Sequence, residues 1–182
     1  MNKILFLYVA LLISAVASAN AETNAGNGSM SNYELGAGDK ILITVFREPD
    51  LTMEAKLTDA GTIIFPFLGE MNVKGLTVGK LKDKITQGLS GRYLKDPSVS
   101  VSVLEYREFF VNGEVKQPGA FPYFPGLTVQ KAISIAGGFT ERASQSSVLL
   151  EREKDANREG IEVELNAPIA PGDIVIVEES FF

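Results

Sequence analysis

Gly75-Leu76-Thr77-Val78-Gly79-Lys80-Leu81-Lys82-Asp83-Lys84-Ile85 reads as the opening of an amphipathic helix. Thr77 brings a side-chain oxygen that can accept from the free N–H groups of a first turn. Val78, Leu81, Ile85 and Leu89 follow at helical spacing, with Lys80, Lys82, Asp83 and Lys84 between them. One face would pack on a sheet and the other stay solvated, while Gly88 weakens the last turn. The same tetrapeptide returns 51 residues later as Gly126-Leu127-Thr128-Val129. Behind it Val129, Ala132, Ile133 and Ala136 form a second apolar stripe, and Gly137-Gly138 closes it as a C-terminal glycine cap does.

The flanking segments read as strands. Gly38-Asp39 is a turn ahead of the β-branched run Ile41 to Phe46, which Glu48-Pro49-Asp50 ends. Asp59-Ala60-Gly61 precedes a strand at Thr62 to Phe65, and Pro66 stops it or marks an edge. After Asp96-Pro97, Ser98 to Val103 alternates without exception, the mark of a strand with one buried face. The character of the chain changes at Tyr106 to Glu108. A second unit follows: Phe109 to Val115 with a bulge or turn at Gly113, a turn at Pro118-Gly119, and a short strand at Val148-Leu149-Leu150. Lys154 to Gly160 reads as a charged, exposed loop, and Gly172-Asp173 leads into a last strand, Ile174 to Val177. Gly-Asp ahead of an apolar strand therefore occurs twice, as Gly-Leu-Thr-Val does. The pattern predicts an α+β chain of two small domains, residues 33–105 and 106–182, each a β-sheet with one helix.

Met1-Asn2-Lys3, an apolar run from Ile4 to Val16 and the small residues Ala17 to Ala21 predict a signal peptide over residues 1–21. Cleavage fits after Ala19 or Ala21, and the polar Glu22-Thr23-Asn24 favours the second. The apolar run is shorter than the roughly 20 residues a membrane-spanning helix needs. Residues 22–32, rich in Asn, Gly and Ser, read as a flexible linker. Loss of Lys3 with the leader takes the formal net charge from −6 to −7, which argues against nucleic acid as a partner. The chain has no Cys and no His. That excludes disulfides, a Cys-borne lipid anchor, zinc sites built on those residues, and Ser-His or Cys-His nucleophile pairs. No cofactor or metal site is expected.

In their order and spacing these residues resemble the bacterial outer-membrane polysaccharide export family. The first unit is similar to its polysaccharide export domain through Tyr33, Leu35, Gly38-Asp39, Ile43, Val45, Gly61, Ile63, Pro66, Leu68-Gly69, Val73, Gly75-Leu76-Thr77, Pro97 and the Val99/Val101/Val103 strand. The second resembles a soluble-ligand-binding β-grasp (SLBB) domain. There the match is Val111, Gly113-Glu114-Val115, Pro118-Gly119, Thr128, Ala132-Ile133, Ala136-Gly137-Gly138, Thr140, Ala143, Arg152 and Gly172-Asp173. The resemblance implies a homo-oligomeric ring in the periplasm that passes a finished polysaccharide toward the cell surface. It also implies an inner-membrane polymerisation and export partner. No Cys follows the leader, a single β-grasp repeat is readable, and the sequence stops shortly after its last strand. The expectation is therefore a non-lipidated periplasmic conduit or adaptor that relies on a separate outer-membrane protein.

The aromatics Phe109, Phe110, Phe121, Tyr123 and Phe124 could stack on sugar rings, although alternation along a strand turns some of them into the core; the candidate contacts to polymer or to a neighbouring subunit are Phe121, Tyr123 and Phe124, in a turn-rich segment. Gly38, Asp39, Gly69, Gly113, Glu114, Pro118, Gly119, Gly137, Gly138, Gly172 and Asp173 read as structural motif residues, with Gly supplying positive φ and Asp capping local N–H groups. The carboxylates Glu114, Glu141, Glu151, Glu162 and Glu164 could include a glycosidase pair, but such a pair depends on a separation that sequence does not give, and no catalytic residue is assigned. The competing function is a stand-alone periplasmic glycan-binding module.

Overall fold

The computed structural model describes residues 32–155, 157 and 159–180. The signal peptide, all but the last residue of the linker, and Phe181-Phe182 lie outside the described residues. Among those described, no helix is long and apolar enough to cross a membrane.

The first unit is built on a three-stranded antiparallel sheet. β1 (Lys40–Val45) lies between β2 (Met53–Lys56) and β5 (Val99–Glu105), and a short 3-10 turn at Pro49–Leu51 joins β1 to β2. β3 (Thr62–Phe65) and β4 (Gly69–Asn72) form a separate hairpin. Helix α1 (Val78–Leu89) begins where Thr77 accepts a hydrogen bond from the Lys80 N–H at 3.2 Å. Its buried face is Leu81, Ile85 and Leu89. They meet the inward row of the sheet, where Ile41 faces Val103, Ile43 faces Val101 and Val45 faces Val99. Fully burying each such aliphatic side chain stabilises the fold by about 1.5–3 kcal/mol.

The second unit is a five-stranded mixed sheet in the order β7-β6-β10-β8-β9. The strands are β6 (Phe109–Gly113), β7 (Gly119–Phe121), β8 (Ala143–Glu151), β9 (Ile161–Glu162) and β10 (Ile174–Glu179). β10 runs parallel to β6, with Val175 beside Val111, and antiparallel to β8. Helix α2 (Val129–Ile135), capped by Thr128, packs Val129, Ala132 and Ile133 into a core with Phe109, Val111, Val148, Leu150, Val175 and Val177. Gly137 and Gly138 leave the helix at φ 83° and 85°, where the Gly138 N–H reaches the Ile133 carbonyl.

Four of these strands, β2, β4, β7 and β9, are absent from the sequence reading, and β8 is longer than the three residues expected of it. Pro118-Gly119 leads directly into β7, with Gly119 as its first residue.

The echo between the units has a three-dimensional form. Glu34-Leu35-Gly36-Ala37-Gly38-Asp39 and Pro168-Ile169-Ala170-Pro171-Gly172-Asp173 do the same work. Glu34 bridges to Thr77 and Pro168 to Thr128, the two helix caps. Buried Leu35 donates its N–H to the Leu76 carbonyl at 2.9 Å, and buried Ile169 donates to Leu127 at 3.1 Å. Each segment ends in a Gly-Asp turn that starts the central strand of its sheet. The order along the chain differs: the strap and its strand precede the helix in the first unit and follow it in the second.

Candidate functional site: the joint between the units and its cleft

Among the described residues, the buried polar side chains are Asp39 and Asp173, the last residues of the two turns. A buried carboxylate is tolerated only when its lone pairs are met, and both are. Gly38 and Gly172 take φ of 93° and 84°, a left-handed conformation that glycine adopts at least cost. This folds each Asp back on its own turn. Asp39 Oδ2 accepts from the Gly36 N–H at 2.8 Å, and Asp173 Oδ2 accepts from the Ala170 N–H at 2.8 Å.

Beyond the turn the two differ. Asp173 stays within its unit, accepting from Arg152 Nη1 at 2.7 Å and the Glu153 N–H at 3.2 Å. Asp39 reaches the junction. It accepts from the Tyr33 hydroxyl at 2.6 Å, the Arg107 N–H at 2.8 Å and Arg107 Nη1 at 3.2 Å. The Arg107 guanidinium also donates through Nη1 to the Tyr33 hydroxyl at 2.6 Å. On its other side Nε donates to Glu153 Oε2 at 2.8 Å, and Nη2 donates to the same oxygen. Arg107 thus holds a residue of each unit. Lys154 and Glu34 form an outer ion pair across the junction at 3.0 Å.

Glycines make the space for this pair. A Cβ on Gly36 would lie 2.5 Å from Arg107 Nη1, and one on Gly172 would lie 2.2 Å from Glu153 Oε2. The guanidinium and its carboxylate therefore sit between the two turns, one against each glycine. Burial, the largest influence on Arg107, lowers its pKa, but the hydrogen bond to Glu153 and the charges of Tyr33, Asp39 and Glu153 outweigh it, so the net shift is upward. Burial first and the hydrogen bond to Asp39 second raise the Tyr33 phenol far above its ordinary value, against the opposing charge of Arg107.

An aromatic ladder runs beside the ion pair. Tyr33 meets Tyr106 edge to face at 5.0 Å, and Tyr106 meets Tyr123 in the same way at 5.5 Å. Tyr106 and Tyr123 of the ladder line a cleft of about 990 Å³ between the units, together with Leu104, Phe110 and Phe124. Phe110 points away from the second core because its neighbours in β6, Phe109 and Val111, point into it.

The sequence candidates divide here. Phe124 is 47 % exposed and Tyr123 half-buried, both on the cleft. Phe121 packs on Phe109 at 5.8 Å as part of the second core. Gly38 and Gly172 line the cleft wall below the joint. The remaining motif residues stand elsewhere. Gly69 opens β4 at φ 72°. Gly113 ends β6 at φ 82°, where a Cβ would lie 2.0 Å from the Val177 carbonyl oxygen. Glu114 accepts from the Thr140 hydroxyl at 2.6 Å. Pro118-Gly119 and Gly137-Gly138 shape the turns flanking β7 and α2. Gly36, Tyr106, Arg107 and Glu153 are the site residues that sequence reasoning missed, while Phe110, one of the aromatics able to stack on a sugar, stands on the cleft and Phe109 in the second core. The one local signal was the change of character at Tyr106 to Glu108.

Residues 27–104 match the family described as polysaccharide biosynthesis/export protein, and residues 109–162 match the SLBB domain. The chain is similar to the exopolysaccharide production protein ExoF of Rhizobium meliloti, at 34% identity over 140 residues, covering 68% of this chain and 32% of that protein. It is also similar to the EPS I polysaccharide export outer membrane protein EpsA of Ralstonia nicotianae, at 29% identity over 155 residues, covering 70% and 40%. The protein of the same name from Ralstonia solanacearum is 30% identical over 142 residues, covering 63% and 37%. The chain spans about a third to two-fifths of the length of these relatives.

Proposed function

We propose, of a chain that belongs to the polysaccharide biosynthesis/export family and carries an SLBB domain, that it is a periplasmic component of an exopolysaccharide export machine. The observation that carries this reading is the sequence of the two matches: the export domain and the SLBB domain follow one another across residues 27–162, and relatives named for exopolysaccharide production or export align over most of the chain. The role is a non-catalytic one, forming or adapting a conduit toward the outer membrane. The ion pairs across the junction, Arg107 with Asp39 and Glu153 and Lys154 with Glu34, support it, because a conduit assembled from copies of a two-unit chain needs one angle between the units in every copy. In this reading the chain works as a homo-oligomer, receives polymer from an inner-membrane polymerisation and export protein, and hands it to a separate outer-membrane protein. Tyr123 and Phe124 are the contacts to polymer, and Phe121 supports them from the core.

A clean deletion, with polysaccharide assayed separately at the cell surface and in the periplasm, tests this. Surface polymer should fall, and the full-length chain should restore it while a version lacking residues 1–21 should not. Unchanged surface polymer would sink the export reading. The aromatic cleft would then favour the stand-alone glycan-binding module.

A further inference from the structure

The cleft has a composition that discriminates among polymers. Its apolar surfaces come from both units: Leu104 leaves β5 on the side away from the first core, while Phe110 and Ile174 sit side by side on the uncovered face of the second sheet. Phe110 is 40 % exposed, Phe124 47 % and Leu104 42 %. Side chains this apolar are left in water at a cost, and here they gather on the walls of one cleft. Its volume stands at the upper end of the range of about 300–1,000 Å³ that ligand clefts take, which suits a segment of a chain molecule better than a single small one.

The charges at the rim narrow the occupant further. Among the described residues, Glu105 and Glu108 line the cleft beside Lys56, and Lys40, which pairs with Glu54 at 2.7 Å, reaches Glu105 at 3.8 Å. Arg107, the other cation there, is already engaged by Asp39 and Glu153. The unit behind the cleft adds to the same sign, since residues 106–182 hold seven Lys and Arg against twelve Asp and Glu. A uronate-rich or otherwise acidic polymer would bring like charges to this rim, which disfavours it. A sugar ring without acidic groups has an apolar C–H face to lay on Phe110 and Phe124 and hydroxyls to meet the carboxylates.

We propose that the cleft between the units is a binding groove for a glycan segment free of acidic substituents. The segment stacks on Phe110 and Phe124, hydrogen-bonds at the Glu105 and Glu108 rim, and lies in a groove whose width is set by the Arg107–Glu153 pair. This rests on the export reading for the class of molecule and adds to it the charge and the seat. It assigns Arg107 a positioning role, with no contact to the sugar.

The test uses the purified full chain and three defined probes: a neutral β-linked glucose hexamer, a neutral α-linked glucose hexamer and an α-linked galacturonate hexamer. Binding is followed by calorimetry and by amide shifts. At least one neutral hexamer should bind, with amide shifts confined to the cleft, and Phe124→Ala should weaken it about tenfold or more. The galacturonate hexamer should bind at least tenfold more weakly. A Glu105→Gln, Glu108→Gln double variant should narrow that gap, read as the ratio of the neutral to the galacturonate affinity within the same variant. Failure of both neutral hexamers to bind, galacturonate binding as tightly as they do, or indifference to Phe124→Ala would each overturn the proposal. The deletion experiment separates the two ideas. Export lost on deletion with no neutral binding removes the groove and keeps the export role. Binding intact with surface polymer unchanged on deletion removes the export role and keeps the groove.

Discussion

The two Gly-Asp turns are the same object in two settings. Each has glycine at positive φ, a carboxylate folded onto the N–H three residues back, and a strap that brackets a helix cap. Asp173 spends its remaining capacity on Arg152 and the Glu153 N–H within its own unit. Asp39 spends the same capacity on Tyr33 and Arg107 at the junction. A turn that closes one small domain has, in its other copy, become the socket for a joint between domains. What changed is the set of neighbours, since the local motif is unaltered. The comparison predicts that equal substitutions at the two turns have unequal effects.

The largest difference should come from removing the carboxylates. Asp39→Ala leaves the Gly36 and Arg107 N–H groups and the Tyr33 hydroxyl without their acceptor and leaves the buried Arg107 guanidinium with Glu153 as its one carboxylate partner, so a loss of about 4 kcal/mol is expected. Asp173→Ala orphans two backbone N–H groups, while its partner Arg152 is half exposed and can turn to water. That should cost about 2 kcal/mol. Urea unfolding of both variants measures the pair, and an Asp173 effect equal to or above that of Asp39 would break the distinction.

Next in size are the glycines that admit the ion pair. Gly36→Ala places a methyl group against the Arg107 guanidinium, whereas a Cβ at Gly38 meets nothing nearer than Arg107 Cβ at 3.5 Å. Gly36→Ala should therefore loosen the joint and Gly38→Ala should not, although the left-handed backbone at Gly38 costs that variant about 1–2 kcal/mol. Chymotryptic cleavage after Tyr106 reads the joint separately from stability. Arg107→Lys is a finer cut: it keeps the charge and loses the fork that holds two partners. It should cost about 1–2 kcal/mol and widen the small-angle scattering envelope. An unchanged envelope would mean that the aromatic ladder alone fixes the units.

How much of this was legible follows from distance along the chain. The helices and their caps were readable because every signal, from Thr77 to Leu89 and from Thr128 to Gly138, falls within a few turns of the sequence. Each Gly-Asp turn was readable for the same reason. The short strands β2, β4 and β7 were not, since three or four residues carry too little alternation to stand out from a loop. The joint was invisible because Arg107 finds Glu153 46 residues away, Asp39 68 away and Tyr33 74 away. Gly36 left no trace either, since its reason for being glycine is a guanidinium lying against it. Phe121, Tyr123 and Phe124 looked equivalent in sequence. Strand pairing separates them, since Phe121 faces Phe109 across β6 and β7, while Phe124 lies beyond the end of β7.

The smallest expected effect appears at high pH and belongs to the Asp39 turn. The Tyr33 phenol is raised by burial first and by its hydrogen bond to Asp39 second, so the folded protein holds that proton more tightly than the unfolded chain does. A group shifted in this direction contributes stability fully present below its unfolded pKa of about 10, and that stability drains away as pH climbs toward the higher folded value. Lysines titrate over the same interval, so the comparison must be between proteins that share them. Tyr33→Phe should be less stable than the parent near neutral pH, where the parent keeps its hydroxyl contacts. It should also lose less stability than the parent between about pH 9.5 and 11, so the two curves converge. Parallel curves over that interval would mean that Tyr33 releases its proton as easily folded as unfolded. The phenol would then have to be removed from the joint, leaving Arg107 alone to bind Asp39 across it.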